Sequence, residues 1–487
     1  MNRCAGFMTI YCNKLVNFRK GSSRMENKLF YDKKTGWDRM SDADQAAMMD
    51  YAEGYKAFLD EAKTERDAVV RLKEMAEAKG FTAYDRSMEL HPGDKYYKIN
   101  RHKGIILFVI GKDGMHSGIN LAAAHLDAPR IDIRTIPLYE DNGMALFKTH
   151  YYGGIKKYQW MTIPMELRGV VCHVTENGVE SIHVRIGDKP GDPVFVITDL
   201  LIHLATDQMG KTMMKGIEAE SMNVLVGSKP SQSDIEASDK IKLWVMEFLN
   251  REYGITEEDF LSAELSCVPA FRASDVGFDR SFVGAYGHDD RVCAYPAATA
   301  LLDLEEIPEK TSMAILVDKE EIGSDGVTGM QSRFFDTLVA DLCRADGTLF
   351  DVCMEQSTCL SADVCNAFDP NYPQVSEKRN DARVNCGVAL VKYTGARGKS
   401  GSSDATAELM AKMRYVFNKN GVIWQTGQLG KVDQGGGGTV AMYMANRNID
   451  TVDCGVPVLS MHAPFEVIAK LDLYAAYQGF QVFYAMR

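Results

Sequence analysis

Cysteine pairs, long hydrophobic runs and an excess of positive charge are all missing from this sequence. No apolar stretch is long enough to cross a bilayer, so the chain is expected to be soluble and to have no membrane partner. The 11 cysteines are odd in number, scattered and without any C-x-x-C pair. This disfavours a disulfide framework or a structural zinc knuckle and favours reduced thiols in a cytoplasmic protein. The net charge of -12 argues against nucleic acid and anionic membranes as partners.

What the sequence does contain is an ordinary globular composition. Hydrophobic residues make up 46% and charged residues 25% of its 487 residues, values that indicate neither disorder nor a repeat array. A chain of this length is too long to fold around a single small hydrophobic core, so we expect two domains, one of them large. Residues 1–24 are basic and lack the apolar segment of a secretory signal, and a more usual start follows at Met25. We therefore treat 1–24 as an N-terminal extension, with a weak targeting peptide as the alternative.

The first part of the folded region is predicted to be helical and then extended. From Asp42 to Lys79, apolar residues recur at three- and four-residue spacing, which predicts an amphipathic helix that is broken near Gly54 and ends at Gly80. Three strand-like runs follow, YYKINRH, GIILFVIGK and GINLAAAHLDAPRIDIR. We expect these runs to be neighbours in one sheet.

Between residues 133 and 264 the pattern changes to alternating apolar and polar residues, as in MELRGVVCHVT and SIHVRIG. We interpret this section as an inserted β-rich domain. The catalytic domain would then be discontinuous, with residues 25–132 before the insertion and residues 265–487 after it.

After the insertion, strand-like runs alternate with helical runs. Strands are predicted at Ala285 to Gly287, 312–317, 386–393 and 421–426, and helices at Ala294 to Glu305, 332–343, 403–417 and in the closing PFEVIAKLDLYAAYQGFQVFYAM. This alternation predicts an α/β fold with a mainly parallel central sheet flanked by helices. In such sheets, ligands bind at the carboxyl ends of the strands.

Five short motifs rich in Asp, Glu and His follow apolar strand-like runs. They are HLD (His125 to Asp127), HDDR (His288 to Arg291), KEE (Lys319 to Glu321), SAD (Ser361 to Asp363) and MH (Met461 and His462). Any one of them could be a helix cap, a turn cap or a satisfied core imidazole. Five similar placements in one domain are harder to explain in that way.

Together, the motifs give a cluster of acids that needs a compensating cation if it is buried. Two divalent metal ions supply that charge most economically, and mixed imidazole and carboxylate ligands indicate zinc, cobalt or manganese. Asp127 could orient His125 through its second ring nitrogen. Of the adjacent acids after the strand Ala314 to Val317, Glu321 could bind metal while Glu320 takes a proton from water.

These residues resemble the aspartyl aminopeptidase family, within the two-metal exopeptidases related to zinc aminopeptidases. The resemblance runs from Met25 to Arg487 and rests on AAHLDAPR, YGHDDRV, DKEEIGS, SADVCNAFDPNYP and SMHAPFE, in that order. It implies that His125 and Asp363 hold one metal, that Glu321 and His462 hold the other, that Asp289 bridges both, that Glu320 is the general base and that Asp127 is the partner of His125.

The resemblance also implies that the insertion is a dimerisation domain and that dimers assemble into a tetrahedral dodecamer. In the family, a histidine from this domain reaches the active site of the neighbouring subunit. Here the segment ITDLLIHL keeps His203 but has Asp199 at the earlier histidine position. His203 is therefore a candidate for substrate contact across a dimer, with a packed histidine on an apolar helix face as the alternative.

Two departures from the family bear on substrate preference. The segment VKYTGARGKSGSSDA carries Lys392 and Tyr393 where eukaryotic members have an Arg-Tyr pair, and Lys392 could read an acidic side chain or simply be solvated. The glycine run DQGGGGT, Asp433 to Thr439, lacks the Lys-Ser/Thr of a P-loop. We interpret this run as a close approach of backbone to substrate.

The resulting hypothesis is a metal-dependent aminopeptidase that removes one N-terminal residue from peptides, with Asp or Glu favoured. Two alternatives stay open. A metal-dependent deacylase on the same scaffold would act on N-acylated amino acids, and a catalytically silent oligomeric scaffold would keep the metal as a structural staple. The presence of Glu320 argues against the scaffold, because a purely structural metal site needs ligands but no general base.

Overall fold

Three β-sheets, with helices packed against them, build residues Thr35–Arg487 of the computed structural model. The structure describes Leu29, Tyr31 and residues 34–487. The expected extension at 1–24 therefore lies outside the described residues. Within the described part of the chain, no helix combines the length and the apolar character that crossing a membrane requires.

The elements are numbered along the chain. The α-helices are α1 (Asp42–Glu61), α2 (Glu65–Ala78), α3 (Thr206–Met209), α4 (Met213–Gly216), α5 (Lys240–Tyr253), α6 (His288–Leu302), α7 (Phe334–Asp346), α8 (Phe350–Glu355), α9 (Ala407–Lys419), α10 (Ala441–Ala445) and α11 (Lys470–Tyr484). The strands are β1 (Thr82–Ala83), β2 (Lys95–Asn100), β3 (Gly104–Val109), β4 (Ile119–His125), β5 (Arg130–Asp141), β6 (Met144–Tyr152), β7 (Met165–Thr175), β8 (Gly178–Ile186), β9 (Val196–Ile197), β10 (Val224–Gly227), β11 (Ala263–Pro269), β12 (Ser274–Val276), β13 (Phe282–Ala285), β14 (Thr311–Val317), β15 (Thr358–Ser361), β16 (Cys365–Asn366), β17 (Val388–Val391), β18 (Trp424–Thr426), β19 (Asp450–Gly455), β20 (Pro457–Leu459) and β21 (Glu466–Ala469).

The largest sheet has nine strands in the order β1-β2-β3-β14-β4-β15-β19-β17-β18. Its centre, β14-β4-β15-β19, is parallel, while β3 and β17 run antiparallel to their neighbours β14 and β19. In register, Val317 lies opposite His125 and Ser361 lies opposite Ala123. The carboxyl ends of three central strands therefore meet at one edge, and the predicted α/β fold is confirmed with a mixed rather than an all-parallel sheet.

Helices cover both faces of this sheet, as its strand sequences indicate. In β3, Leu107 packs with α1, α2 and α6 on one face, whereas Ile106 and Phe108 pack with α7 on the other. Every residue of β3, β4 and β14 is buried. A strand that is covered on both faces has no solvent side, which explains its continuous apolar run.

A second sheet of five strands, β12-β13-β21-β20-β16, adjoins the metal-ligand candidates. Both β13 and β20 pair antiparallel with β21, so these two strands run in the same direction. The HDDR motif follows β13 and the MH motif follows β20. Two of the five motifs therefore come from the edge of this sheet and three from the edge of the nine-stranded sheet.

The third sheet is wholly antiparallel, has seven strands in the order β8-β7-β11-β5-β6-β10-β9, and packs against α5. Its strands lie between Arg130 and Pro269, close to the section 133–264 that was predicted to be an inserted β-rich domain. Whether this section mediates dimerisation stays a prediction.

The predicted break of the first helical region is wrong in position. Gly54 lies inside α1, and a Cβ added there would lie 2.9 Å from the Tyr295 hydroxyl. The glycine therefore permits close helix packing rather than a break. The chain turns between α1 and α2, where the Thr64 side chain accepts a hydrogen bond from the Asp67 amide and caps α2.

Two further expectations are corrected. The three runs after Gly80 are not all neighbours, because β14 lies between β3 and β4 and because the end of the third run becomes β5 of another sheet. The closing segment also does not begin as a helix, since Glu466–Ala469 forms β21 before α11 starts at Lys470. A short apolar run is compatible with either a strand or a buried helix, so the residue pattern alone could not distinguish the two.

Candidate metal centre

The strand-end motifs converge on one cluster of imidazoles and carboxylates. Three overlapping groups offer ligand atoms that all lie within 4.8 Å of one another. These groups are His125, Glu320 and Asp363; His125, Asp289 and Glu321; and Asp289, Asp290 and Asp363. All six residues come from four of the five motifs, and the fifth motif adds His462 through its contact with Asp289. The structure therefore brings together the motifs that the sequence analysis expected to meet.

His125, the last residue of β4, is 1% exposed. Its Nδ1 lies 3.0 Å from the Asp127 carbonyl oxygen and 3.4 Å from Asp127 Oδ1. The carbonyl can only accept, so Nδ1 carries the proton. Nε2 is then left as the nitrogen that faces Asp289 Oδ1, at 3.2 Å. This is the orientation that a metal-binding imidazole requires.

Asp127 holds more than the imidazole. It accepts the backbone amides of Glu320 and Glu321, each at 3.2 Å, and the hydroxyl of Tyr152 at 2.8 Å. The carboxylate is completely buried. One side chain therefore fixes the ring of His125 and the turn that carries both glutamates.

Asp289 lies between the two histidines. Its Oδ1 is 3.2 Å from His125 Nε2 and its Oδ2 is 3.3 Å from His462 Nε2. Each carboxylate oxygen is thus assigned to a different imidazole. A carboxylate placed in this way can bind two ions at once.

The adjacent glutamates point to different places in the cluster. Glu320 Oε2 lies 3.8 Å from His125 Nε2, and Glu321 Oε2 lies 3.6 Å from His462 Nε2. The two residues can diverge because Lys319 before them has φ 71° and Gly323 after them has φ 99°, left-handed conformations that bend the chain tightly.

The electrostatics of the cluster favour added positive charge. Burial raises the pKa of Asp363 well above its ordinary value, and neighbouring carboxylates raise it further. Burial also raises the pKa of Glu320 to about 7, although His125 opposes this. Burial alone would lower the pKa of His462, but its contacts with Asp289 and Glu321 raise it to about 10. The acids cannot all ionise unless cations lie among them.

The residues fit divalent metal ions. Glu321 Oε1 is buried and has no hydrogen-bond partner within the described part of the chain, which leaves one ligand oxygen uncommitted. His462 Nδ1 is 2.7 Å from the Gly154 carbonyl, so its Nε2 also faces the cluster. Two imidazoles with several carboxylates make a donor set suited to zinc or a similar ion.

Two residues that support the cluster were not predicted. The buried Glu466 accepts the amide of His462 at 2.7 Å and that of Asp289 at 3.0 Å, and burial raises its pKa to about 8. Tyr152 donates to Asp127 and lies under the Arg130 guanidinium, 4.0 Å from its ring centre. Glu466 does stand inside the quoted motif SMHAPFE, but no local pattern shows that its partners are backbone amides.

His288 and Asp290 of the HDDR motif have structural contacts. The His288 ring bonds the Tyr55 hydroxyl at 2.8 Å and the Val283 carbonyl at 3.1 Å, and burial lowers its pKa to about 3. Asp290 Oδ2 accepts the His125 amide at 3.3 Å. A neutral, fully engaged His288 has no nitrogen left for a metal.

The two candidates outside the strand ends, His203 and Lys392, are not among the described residues that form the ligand groups or line the cavity beside them. His203 is exposed within the short 3-10 helix Ile202–Leu204. The Lys392 ammonium lies 2.6 Å from Asp404 Oδ1, and Asp404 Oδ2 takes Lys399 at 2.9 Å. Substrate contact by either candidate stays a prediction.

A cavity of about 420 Å³ opens beside the cluster. Its lining includes Asp289, Glu320, Glu321, Asp363 and His462 of the cluster and the glycine run at Gly436 to Gly438. No lysine or arginine occurs among the described residues that line it. The expected preference for an acidic residue therefore finds no lysine or arginine partner among these lining residues.

Comparison with known proteins gives consistent matches over nearly the whole chain. The profile of the family described as aminopeptidase I zinc metalloprotease (M18) matches residues 58–484. A probable M18 family aminopeptidase 1 from Clostridium acetobutylicum is 45% identical, over 94% of this chain and 99% of its own length. A protein of the same name from Thermotoga maritima is 44% identical over 88% of this chain and 94% of its own.

Solved structures agree with the sequence matches. The crystal structure of an M18 family aminopeptidase from Thermotoga maritima has a TM-score of 0.87 at 42% identity and covers 93% of this chain and 99% of that one. The structure of the S. cerevisiae mApe1 dodecamer has a TM-score of 0.74 at 20% identity and covers 89% of this chain and 96% of that one. At that identity the yeast structure shows a shared fold.

Proposed function

Because the chain belongs to the M18 family of zinc metalloproteases and is an aminopeptidase of that family, we propose that the strand-end cluster is the centre at which it cleaves N-terminal peptide bonds. The observation that carries this proposal is the position of Asp289, which presents one oxygen to each of two imidazoles. A cluster built only to stabilise the fold would not need a carboxylate shared between two histidines.

Two divalent ions, most simply zinc, with cobalt or manganese as alternatives, fit this cluster. His125 and Asp363 would hold one ion, Glu321 and His462 the other, and Asp289 both. When bound, the ions supply Lewis acidity to the scissile carbonyl and lower the pKa of water.

Glu320 is the residue that moves the proton. It lies at the cluster and lines the cavity, and none of the proposed ligand positions needs it. The carboxylate takes a proton from the attacking water and passes it to the leaving amine. Asp127 keeps Glu320 in place through its amide, which restricts the base to one orientation.

The acids of the cluster also explain why cleavage removes a single residue. A free α-amine is a cation that carboxylates can bind, whereas an internal peptide nitrogen carries no charge to match them. We therefore place the substrate's amino end at the cluster and the rest of the peptide leading away from it.

The working form of the enzyme is proposed to be a homo-oligomer in the cytoplasm. The yeast structure of the same fold is a dodecamer, and dimers that assemble into a tetrahedral dodecamer fit the resemblance to the family. His203 would reach a neighbouring site in that assembly. The exposed apolar residues around it, Leu201, Ile202 and Leu204, support burial against another copy.

The test variant is Glu320→Gln. The matched control is a separate variant, Glu355→Gln, which changes an exposed residue at the end of a helix. Glu320→Gln is expected to lower kcat by about 100-fold or more, with two metal ions per subunit retained in elemental analysis. The control should match the parent protein. Full activity of Glu320→Gln would overturn the assignment of the base, and hydrolysis of N-acylated amino acids but of no free dipeptide would replace the aminopeptidase by a deacylase.

A further inference from the structure

We propose that a second, cation-lined cavity, which adjoins the turn carrying Glu320 and Glu321, binds a tetrahedral oxyanion of the phosphate type and that the bound anion orders this turn. The cavity is formed by residues outside the metal cluster, so the binding step does not depend on the proposed function. Only the expected effect on turnover rests on it.

The cation-lined cavity is separate from the cavity beside the cluster. Its volume is about 240 Å³, and the two cavities share no lining residue within the described part of the chain. A space of this size is several times that of one water molecule. Its charged walls consist of the cations Arg66, Lys103, Arg130, Arg168 and Lys319 and the acids Glu65, Asp132 and Glu264.

Ion pairs hold the buried cations of this cavity in fixed positions. Arg130 is 7% exposed, its Nε lies 2.7 Å from Asp132 Oδ1 and its Nη1 lies 3.2 Å from Glu65 Oε2. The Lys103 ammonium lies 3.0 Å from Glu65 Oε1. Side chains that are already ordered lose little entropy when they bind a further group. These pairs therefore prepare the donors for an anion.

Lys319 is the cation without a partner. No carboxylate forms an ion pair with it among the residues that the structure describes, and its ammonium lies beside Gly326. The N-terminus of α2, at Thr64, adds a partial positive charge to the same cavity. The lining thus offers more positive charge than its three acids compensate.

The arrangement of the cations favours a tetrahedral anion. Arg66 comes from α2, Arg130 from β5 and Arg168 from β7, so donors approach from separate segments. A tetrahedral oxyanion directs oxygens toward several donors at once, whereas a carboxylate has only two oxygens. An apolar ligand would remove water from these charges without replacing its hydrogen bonds.

Contacts connect the cation-lined cavity to the metal cluster. The Arg130 guanidinium lies 4.0 Å from the ring centre of Tyr152, whose hydroxyl donates to Asp127 at 2.8 Å. Asp127 in turn accepts the amides of both glutamates, and Lys319 directly precedes them. An anion that binds Arg130 and Lys319 would restrict the turn from the side opposite to the substrate, and this is expected to raise kcat without changing KM.

The first experiment measures binding to the full-length, metal-loaded protein in its native assembly. Sodium phosphate or sodium sulfate at about 10 mM is compared with sodium chloride at equal ionic strength. Each tetrahedral anion is expected to raise the unfolding temperature by about 1–2 °C and kcat by about two- to fivefold. Elemental analysis of the protein checks that phosphate has not removed metal. An equal response to chloride would overturn the inference, because it would reflect charge screening alone.

The second experiment locates the anion. Crystals of the parent protein are soaked in selenate, a tetrahedral anion with an anomalous scatterer. The expected result is an anomalous peak within hydrogen-bond distance of Arg130 and Lys103. A peak at the metal cluster only, or no peak, would overturn the inference.

Two variants test the cations separately. Lys319→Met and Arg66→Met are each expected to weaken the apparent affinity for phosphate about tenfold. Arg66 has a side chain that is 21% exposed, so Arg66→Met keeps the test valid if Lys319→Met folds poorly. Arg71→Met, at an exposed position of the same helix and outside the lining, is the matched control. Unchanged affinity in both test variants would overturn the inference.

Further anions identify the source of the ligand. Tighter binding of glycerol phosphate than of inorganic phosphate would indicate a phosphate ester, and the reverse would indicate free phosphate; either result supports the site. A response to malonate but to neither phosphate nor sulfate would overturn the tetrahedral assignment. Selenate in this cavity of a protein that hydrolyses no peptide would overturn the proposed function and leave the anion site standing, so the two failures are distinguishable.

Discussion

At the scale of single residues, Asp127 has the most unusual position in the site. It is proposed to bind no metal, yet its carboxylate contacts the ring of His125, the amides of both glutamates and the hydroxyl of Tyr152. One carboxylate thus fixes the positions of these four groups relative to one another. The quality of the site therefore depends on how firmly this one carboxylate is held.

Tyr152→Phe tests this dependence. Loss of the hydroxyl removes one of the donors that fix Asp127, and the base and ligands then sample more orientations. We expect kcat to fall about tenfold with KM and metal content nearly unchanged. If Tyr152 had only a structural role, Tyr152→Phe would lower the unfolding temperature without a fall in kcat that leaves KM unchanged.

The neighbouring Tyr151→Phe is the control. Tyr151 is 40% exposed and lies next to Tyr152 in the same strand, so any general effect of losing a tyrosine hydroxyl there should appear in both variants. Equal kinetics of the two variants would contradict the role of Tyr152.

At the scale of elements, the glycine run near the cavity divides into two halves. A Cβ on Gly435 would lie 1.7 Å from the Leu429 carbonyl oxygen, and Gly436 has φ 133°. Both need glycine for the fold. At Gly437 and Gly438 the nearest atoms to an added Cβ are 3.7 Å and 4.0 Å away, so an alanine would fit the protein there.

This division predicts different effects from two alanine substitutions. Gly438→Ala should leave the unfolding temperature unchanged but raise KM about tenfold, because the new methyl group enters the space of the substrate. Gly435→Ala should instead destabilise the fold by about 1–3 kcal/mol through overpacking. Thermal unfolding measured beside steady-state kinetics checks both, and a KM unaffected by Gly438→Ala would mean that substrate backbone does not approach this loop.

The sequence could predict the elements that carry the ligands but not those that support them. HLD, KEE and SAD end buried parallel strands, and a parallel sheet brings such ends to one edge whatever its detailed order. Glu466 accepts the backbone amides of nearby His462 and of distant Asp289, and Tyr152 donates its hydroxyl to Asp127, so no residue spacing in the sequence reveals their roles. Gly54 was misjudged because its reason is a tyrosine on another helix.

The surroundings of Lys392 were among the least predictable features, and the reason is geometric. Lys392 precedes a loop that folds back so that Asp404 captures its ammonium. A lysine next to a pocket and a lysine inside it look the same in sequence. Only the fold distinguishes them.

At the scale of the whole molecule, the seven-stranded sheet contributes directly to the cluster. Tyr152 at the end of β6 bonds Asp127, and the Gly154 carbonyl bonds His462. The section predicted as an insertion therefore also supports the candidate metal centre through these two hydrogen bonds. Its removal would be expected to disable the site even if the remaining sheets folded.

The same section has an apolar surface that predicts assembly. Seven large apolar side chains, each more than half exposed, lie between residues 200 and 214: Leu200, Leu201, Ile202, Leu204, Met209, Met213 and Met214. The double substitution Leu204→Glu with Met213→Glu is expected to reduce the particle mass measured by light scattering. Loss of activity in the smaller particle would support substrate contact by His203.

Leu349→Glu, at an exposed apolar residue elsewhere on the surface, is the control for the added charge. A double variant with the mass of the parent protein would show that this surface is not an interface. A smaller particle with full activity would show that the assembly forms through this surface but that activity needs no contact from His203 of another copy.

The order of the ligands along the chain has a consequence for biosynthesis. His125 leaves the ribosome early, whereas His462 and Glu466 emerge only when little more than α11 remains to be made. The first sheets can begin to fold while synthesis continues, but the bridging position between the histidines cannot form until the last part of the chain is released. A product that ends before His462 would therefore lack both this imidazole and the Glu466 carboxylate, and the cluster could not be completed.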